Sequence, residues 1–131
     1  MKKVFVNGTF DILHPGHIAL LNFAKSLGGH LTVAIDSDDR VRSLKGSTRP
    51  INTHNERKFM LQNIKAVDAV VIFENDYQLT ELVSACDVMV KGSDYRGKRI
   101  VGESVCPEIV FFDIDDDYST TKKIQSIIDR R

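Results

Sequence analysis

Short runs of apolar residues alternate with amphipathic segments along almost the whole chain. The apolar runs are Val4–Val6, Leu31–Ile35, Ala69–Phe73, Val88–Val90 and Ile109–Phe112. The segments with helical spacing are 15–27, 37–44, 54–65, 77–85 and 119–129. Because the apolar runs do not alternate with polar residues, both faces of the strands are expected to be buried. The order strand, helix, strand predicts an α/β fold, a doubly wound parallel sheet of five strands with helices on both faces.

Length and charge narrow the class of protein. The 131 residues predict one domain, 1–131, and the 18 basic and 18 acidic residues cancel. This balance argues against binding of nucleic acid or a membrane by bulk charge, and no apolar run approaches the ~18 residues of a membrane span. The first apolar stretch is too short for a secretory signal, which favours the cytoplasm. Cys86 and Cys106 have no metal-ligand spacing and are expected to be free thiols.

The segment 7–17 (NGTFDILHPGH) is the most informative part of the chain. It leaves the first strand through Gly8 and enters the first helix through Pro15, so it forms the first crossover of the sheet. Open α/β sheets bind ligands at the carboxyl ends of such strands, and a helix N-terminus offers free N–H groups to an anion. Phosphate is the expected ligand.

Two histidines, His14 and His17, stand three residues apart at the start of this helix. This spacing places them on one helical face, where both can donate hydrogen bonds to one phosphoryl group in its transition state. A zinc site or two incidental histidines are the alternatives, although His30 and His54 are distant in sequence and zinc requires further ligands.

These motifs resemble those of the cytidylyltransferase-like nucleotidyltransferases, which carry the H-x-G-H signature. The resemblance extends over nearly the whole chain through GTFD (8–11), HPGH (14–17), VAIDSD (33–38), LKG (44–46), RPIN (49–52), VKGSDY (90–95) and STT (119–121). The chain most resembles the adenylyltransferases that make ADP-heptose from a heptose 1-phosphate, and next the glycerol 3-phosphate cytidylyltransferases. A Rossmann-like fold is therefore expected, with transfer of AMP from ATP to a sugar 1-phosphate and release of pyrophosphate.

The resemblance implies roles for particular residues. The residues implied to hold the nucleotide phosphates are Gly8, Thr9, Phe10, His14 and His17. Asp11 is implied either to order the loop or to bind Mg²⁺, the expected cofactor, and an Asx-type turn cap is the alternative from the residues alone. Relatives form the nucleobase pocket with the segment that here includes Lys91, Gly92 and Asp94, although Lys91 could equally be an exposed charge at the end of a strand.

A basic window at 40–65 contains seven Lys or Arg residues and one acid. Such a local positive field suits a triphosphate. By resemblance, Lys45 and Arg57 are catalytic residues that contact the β- and γ-phosphates. For Arg40, Arg42, Lys58 and Lys65 we favour an exposed surface charge.

The remaining predictions concern the last helix and the acceptor. Ser119, Thr120 and Thr121 open the last helix, where their hydroxyls can cap it and contact the nucleotide. The candidates for acceptor binding are Asn7, Asp36 and Asp38, chosen only by their position near strand ends.

Three functional alternatives remain at this point. In the glycerol 3-phosphate enzymes an Arg-Thr-x-Gly-Ile stretch precedes the Ser-Thr pair, whereas this chain has Asp115, Asp116, Asp117 and Tyr118 there, which favours ATP over CTP. A cytidylyltransferase acting on glycerol 3-phosphate is the alternative, and a non-catalytic nucleotide-binding domain is a second one. The expected partners are a nucleoside triphosphate, a phosphorylated sugar or polyol made by another protein, and a second copy in a homodimer.

Overall fold

The computed structural model describes residues 1–114 and 119–130. The strands are β1 (Lys3–Gly8), β2 (His30–Asp36), β3 (Ala69–Phe73), β4 (Val88–Gly92) and β5 (Glu108–Phe112). The helices are α1 (Pro15–Ser26), α2 (Asp38–Lys45), α3 (His54–Gln62), α4 (Asp76–Ser84) and α5 (Thr120–Asp129). Two single 3-10 turns, Ser93–Tyr95 and Glu103–Val105, lie between β4 and β5. The acidic residues at 115–117 and Tyr118 lie outside the described residues.

The five strands form one sheet in the order β3-β2-β1-β4-β5, and every neighbouring pair is parallel. The chain first winds outward from β1 through β2 to β3 and then crosses back to β4 on the other side of β1. This reversal leaves a crevice at the carboxyl ends of the strands, the usual ligand site of such sheets. The predicted α/β fold is confirmed.

Apolar side chains cover both faces of the sheet, which explains why the strands lack polar alternation. One cluster packs Leu20 and Leu21 of α1 and Leu61 of α3 against strand residues that include Val6. The other packs Leu79 and Val83 of α4 against residues that include Phe5 and Met89. Successive residues of β1 thus point into opposite cores.

The helix ends follow the sequence signals closely. Pro15 is the first residue of α1, and the side chains of Thr53 and Glu56 form a capping box at the start of α3. The two cysteines are free, as predicted. Among the described helices, none has the length and apolarity needed to cross a bilayer.

Candidate active site

The carboxyl ends of β1, β2 and β4 open into a cleft of about 370 Å³, here called the main cleft. A smaller cleft of about 120 Å³ adjoins it. The predicted site residues that line the main cleft are Asn7, Gly8, Thr9, Phe10, His17, Asp36, Lys45, Lys91, Gly92 and Asp94. Four of them also line the smaller cleft, namely Thr9, Phe10, His17 and Lys45. The fold therefore brings together most of the residues that the sequence singled out.

His14 and His17 lie side by side at the N-terminus of α1. Their rings stack with centroids 3.8 Å apart, and His17 lines both clefts. The two side chains also cap the helix, because Nδ1 of His14 accepts the N–H of Gly16 at 3.1 Å and Nδ1 of His17 accepts the N–H of His14 at 3.2 Å. A Cβ at Gly16 would lie 2.9 Å from the His14 ring, so the glycine between the histidines allows this packing.

These backbone donors determine the protonation of both rings. A nitrogen that accepts an N–H carries no proton, so each neutral ring has its proton on Nε2. Burial lowers the pKa of His14, with Lys123 adding to the effect. Burial also lowers the pKa of His17 to about 4, with smaller contributions from the charge of Lys45 and from His14 when it is protonated. At neutral pH the histidines are therefore uncharged Nε2–H donors.

The loop between β1 and α1 has an unusual backbone. Phe10 and Ile12 both have positive φ, 52° and 49°, a conformation that side chains with a Cβ rarely adopt. A Cβ on Gly8 would lie 3.0 Å from the Phe10 ring, a tight contact that favours glycine at the end of β1. Such a loop persists only where its surroundings hold it in place.

Asp11 supplies one of the contacts that hold this loop. Its carboxylate is buried and accepts the N–H groups of Ile51 and Asn52 at 2.6 and 2.9 Å. Each oxygen thus has one backbone donor, and Asp11 also lines the smaller cleft. The described residues contain no group of three or more His, Cys, Asp or Glu that could hold a metal ion. Of the roles left open by the sequence, ordering of the loop is the one that these contacts support, and Mg²⁺ binding by Asp11 stays a prediction.

Arg57 supplies another contact that holds the loop. Its position corrects the expectation that it contacts phosphate. The guanidinium is buried and donates to the carbonyls of Thr9 and Asn52 at 2.9 and 3.1 Å. Its third bond, at 2.9 Å, is to Asp38. Arg57 lines neither cleft. Its three bonds tie the loop after β1 to the segment before α3 and to the start of α2.

Asp38 was expected near the acceptor, and the structure corrects this as well. Its carboxylate accepts the N–H of His54 at 2.7 Å in addition to Arg57, while its own N–H donates to Nδ1 of His54. Asp38 thus joins the starts of α2 and α3, and it lines neither cleft. The sequence predicted that Asp38 lies near the strand ends but gave no sign that its carboxylate is bonded to His54 and Arg57.

The start of α5 closes the smaller cleft. The Thr120 hydroxyl donates to the carbonyls of Asp11 and Ile12, and Thr120 lines this cleft. Ser119 caps α5 by accepting the N–H of Lys122, and Thr121 is exposed. Neither Ser119 nor Thr121 lines the main cleft or the smaller cleft, so capping is the role that the geometry supports for Ser119.

The β4 side of the main cleft contains a buried lysine. Nζ of Lys91 lies 3.4 Å from Oδ1 of Asn7 and 4.1 Å from the centre of the Tyr95 ring. Desolvation lowers the pKa of Lys91, opposed by the charges of Asp36 and Asp94. The interpretation of Lys91 as an exposed strand-end charge is therefore wrong. Its role in nucleotide binding stays a prediction.

Two arginines of the basic window line the clefts without having been assigned a role. Arg49 lines the smaller cleft together with Lys45, and its membership of the RPIN motif was the available signal. Arg40 lines the main cleft and donates to Asp36, with its side chain only 17% exposed. The expectation of a surface charge is thus wrong for Arg40, whereas Arg42 is exposed and pairs with Asp39.

Comparisons with known proteins identify the family of this chain. The model of the Cytidylyltransferase-like family matches residues 5–129. Bifunctional protein HldE of Sulfurimonas denitrificans is 46% identical over 128 residues, covering 96% of this chain and 27% of that protein. The same-named protein of Helicobacter hepaticus is 47% identical, covering 96% and 26%. This chain therefore spans about a quarter of the length of these curated relatives.

Among solved structures, a lipopolysaccharide core biosynthesis protein from Thermoplasma volcanium superposes with a TM-score of 0.73 and 28% identity, covering 88% of this chain and 99% of that one. The resemblance predicted from the sequence is confirmed. The chain belongs to the cytidylyltransferase-like family.

Proposed function

We propose that this protein is an adenylyltransferase that transfers AMP from ATP to a sugar 1-phosphate of the heptose 1-phosphate type. The observation that carries the proposal is the pair of uncharged histidines at the N-terminus of α1, beside the phosphate loop. A helix N-terminus attracts phosphate, and donors aimed at developing charge are the main source of catalysis in phosphoryl chemistry. The relatives named HldE support a nucleotide-transferring activity of this domain.

The reaction requires no nucleophile from the protein. An oxygen of the acceptor phosphate attacks the α-phosphorus of ATP, the bond from that phosphorus to the bridging oxygen breaks, and pyrophosphate leaves with the electron pair. The acceptor phosphate is already anionic at neutral pH, so catalysis consists of positioning and neutralisation of charge. Nε2–H of His17 donates to the phosphoryl oxygens, while Lys45, which lines both clefts, approaches the β- and γ-phosphates.

The two substrates approach from opposite sides of β1. By resemblance, the nucleotide lies on the β4 side, along Lys91, Gly92 and Asp94, which line the main cleft. The β2 side, with Asp36, is then left for the acceptor. The phosphate loop lies between them at the end of β1, where the α-phosphate has to be attacked.

We expect Mg²⁺ to enter bound to ATP. Magnesium ions at nucleotide sites take most of their ligands from phosphate and water. Both oxygens of Asp11 accept backbone N–H groups, so we expect that residue to contribute mainly by holding the loop.

Pyrophosphate release by the purified protein tests the proposal, with ATP, CTP, GTP and UTP as donors and heptose 1-phosphate, other sugar 1-phosphates and glycerol 3-phosphate as acceptors. We expect the highest kcat/KM with ATP and a sugar 1-phosphate. A tenfold preference for CTP with a shared acceptor would instead support the cytidylyltransferase alternative, and binding of ATP without turnover of any acceptor would support the non-catalytic one.

Two further expectations belong to this proposal. ATP and sugar phosphates are cytoplasmic metabolites, so we expect the protein to act in the cytoplasm. We also expect a homodimer, which sedimentation velocity at micromolar concentration tests directly.

A further inference from the structure

Arg40 holds Asp36 in the wall of the main cleft. Nε of Arg40 lies 3.0 Å from Oδ1 of Asp36, and one terminal nitrogen lies 2.9 Å from Asp76 at the start of α4. The guanidinium carbon is 5.0 Å from the centre of the Phe73 ring. Three elements, β2, β3 and α4, therefore fix one side chain of α2, and such an arginine is pre-organised for planar recognition.

Asp36 keeps capacity to accept further hydrogen bonds in this arrangement. Its second oxygen accepts the hydroxyl of Thr9 at 3.1 Å, and the side chain is 13% exposed, at the cleft. An ionised carboxylate has about four acceptor positions, so two donors leave room for ligand hydroxyls. Arg40 likewise has N–H groups beyond the two that bond Asp36 and Asp76.

Charge explains why the two residues belong together. A lone carboxylate beside the phosphate loop would repel a phosphorylated substrate. The main cleft is lined by three cationic side chains, Arg40, Lys45 and Lys91, and by two carboxylates, Asp36 and Asp94. Pairing with Arg40 lets Asp36 accept hydroxyl groups without making this side of the cleft negative.

We propose that Arg40 is a specificity-determining residue, which holds Asp36 so that the pair recognises sugar hydroxyl groups beside the acceptor phosphate. This rests on the proposed function, in which the nucleotide occupies the β4 side of the cleft and the acceptor the β2 side. A sugar phosphate presents both a phosphate and neighbouring hydroxyl groups, and a site that pairs with hydroxyls rejects ligands lacking them.

The test compares Arg40→Met with Arg42→Met, a matched control two residues along α2 whose exposed guanidinium pairs with Asp39. Steady-state pyrophosphate release gives KM and kcat for ATP and for heptose 1-phosphate. We expect Arg40→Met to raise the acceptor KM about tenfold with kcat and the KM for ATP within twofold of wild type. We expect Arg42→Met to leave all three unchanged. Equal rises in both KM values, or no rise, would overturn the proposal.

A double-mutant cycle tests whether Arg40 acts through Asp36. In an Asp36→Asn background, Arg40→Met should raise the acceptor KM little further, whereas additive effects would contradict joint recognition. Arg40→Lys, which keeps the charge but not the planar fork, replaces Arg40→Met if thermal unfolding shows that the latter is not folded. It should then show an intermediate KM, and a wild-type KM would contradict a need for the fork.

Calorimetry separates this proposal from the proposed function. Glucose 1-phosphate and inorganic phosphate serve as probes, because both carry phosphate and only the first carries sugar hydroxyls. We expect Arg40→Met to weaken glucose 1-phosphate at least fivefold more than inorganic phosphate, even if wild type turns over no acceptor. Equal losses for both probes would show that Arg40 supplies only charge. Wild-type binding of glucose 1-phosphate no tighter than that of inorganic phosphate would overturn the proposal too.

Discussion

Arg57 and Lys45 belong to the same basic stretch of sequence, yet they lie in opposite surroundings. Arg57 is part of a group here called the buried support, made of Asp11, Asp38 and Arg57, that holds the loop after β1. Asp11 of the loop accepts the N–H groups of Ile51 and Asn52, and Arg57 donates to the Thr9 carbonyl and to Asp38. Lys45 lines the main cleft together with His17 and Lys91, and these three residues are here called the cleft face. The difference shows that residue type and position along the chain do not tell which charges meet a ligand.

The largest effect is expected in the buried support. Arg57→Met leaves Asp38 without its charged partner and the carbonyls of Thr9 and Asn52 without a donor. Breaking a buried ion pair from one side costs about 3–5 kcal/mol, so we expect a loss of that order in the free energy of unfolding, measured in urea. Lys65→Met, at an exposed position, should change it by less than about 0.5 kcal/mol. If Arg57→Met lost activity while keeping wild-type stability, Arg57 would belong to the cleft face.

For the cleft face, the sharpest prediction is a loss of rate. His17→Ala removes an uncharged donor beside the phosphate loop and should lower kcat on the order of 10²-fold or more, with a small change in ATP affinity. His30→Ala, at the start of β2 and hence at the opposite end of the sheet, is the matched control. Near-normal turnover of His17→Ala would remove the histidine pair from the mechanism.

His17 of the cleft face also has a structural role, because it caps α1 as well as lining the clefts. Its pKa is about 4 in the folded protein and 6.5 ordinarily, so below pH 6.5 the unfolded chain binds the proton first. Stability is therefore fully present above pH 6.5 and is lost as the pH falls toward 4, by up to about 3 kcal/mol at 1.36 kcal/mol per pKa unit. Urea unfolding at several pH values should show a smaller loss for His17→Gln. Parallel curves for the two proteins would contradict the lowered pKa.

The smallest effect is expected for Lys45, which is exposed at the rim. Lys45→Ala should weaken binding of ATP by about tenfold and of AMP hardly at all, since only ATP carries the β- and γ-phosphates. Calorimetry with both nucleotides measures this, and Lys65→Ala serves as the control. Equal losses for ATP and AMP would instead indicate that Lys45 contacts the α-phosphate, which both nucleotides carry.

The sequence alone predicted the fold and the location of the site. Apolar runs of strand length separated by segments of helical period allow few arrangements other than a parallel sheet covered on both faces, and the structure has that sheet. The motif at 7–17 predicted where the candidate site lies, since the carboxyl end of β1 and the N-terminus of α1 meet there in any such fold, and the main cleft is at this place. Local patterns determine these features, so they can be read without the tertiary structure.

Only the tertiary structure decided which charged residues face the cleft. Arg57 is buried and paired with the partly exposed Asp38 because α2 and α3 begin side by side, although 19 positions separate the two residues along the chain. Arg40 faces the cleft because Asp36, Phe73 and Asp76 surround it from three elements. The partners of a side chain depend on contacts between residues distant in sequence, whereas propensity and periodicity are local properties. The sequence therefore determined the fold but not which charged side chains face the cleft and which are paired inside the protein.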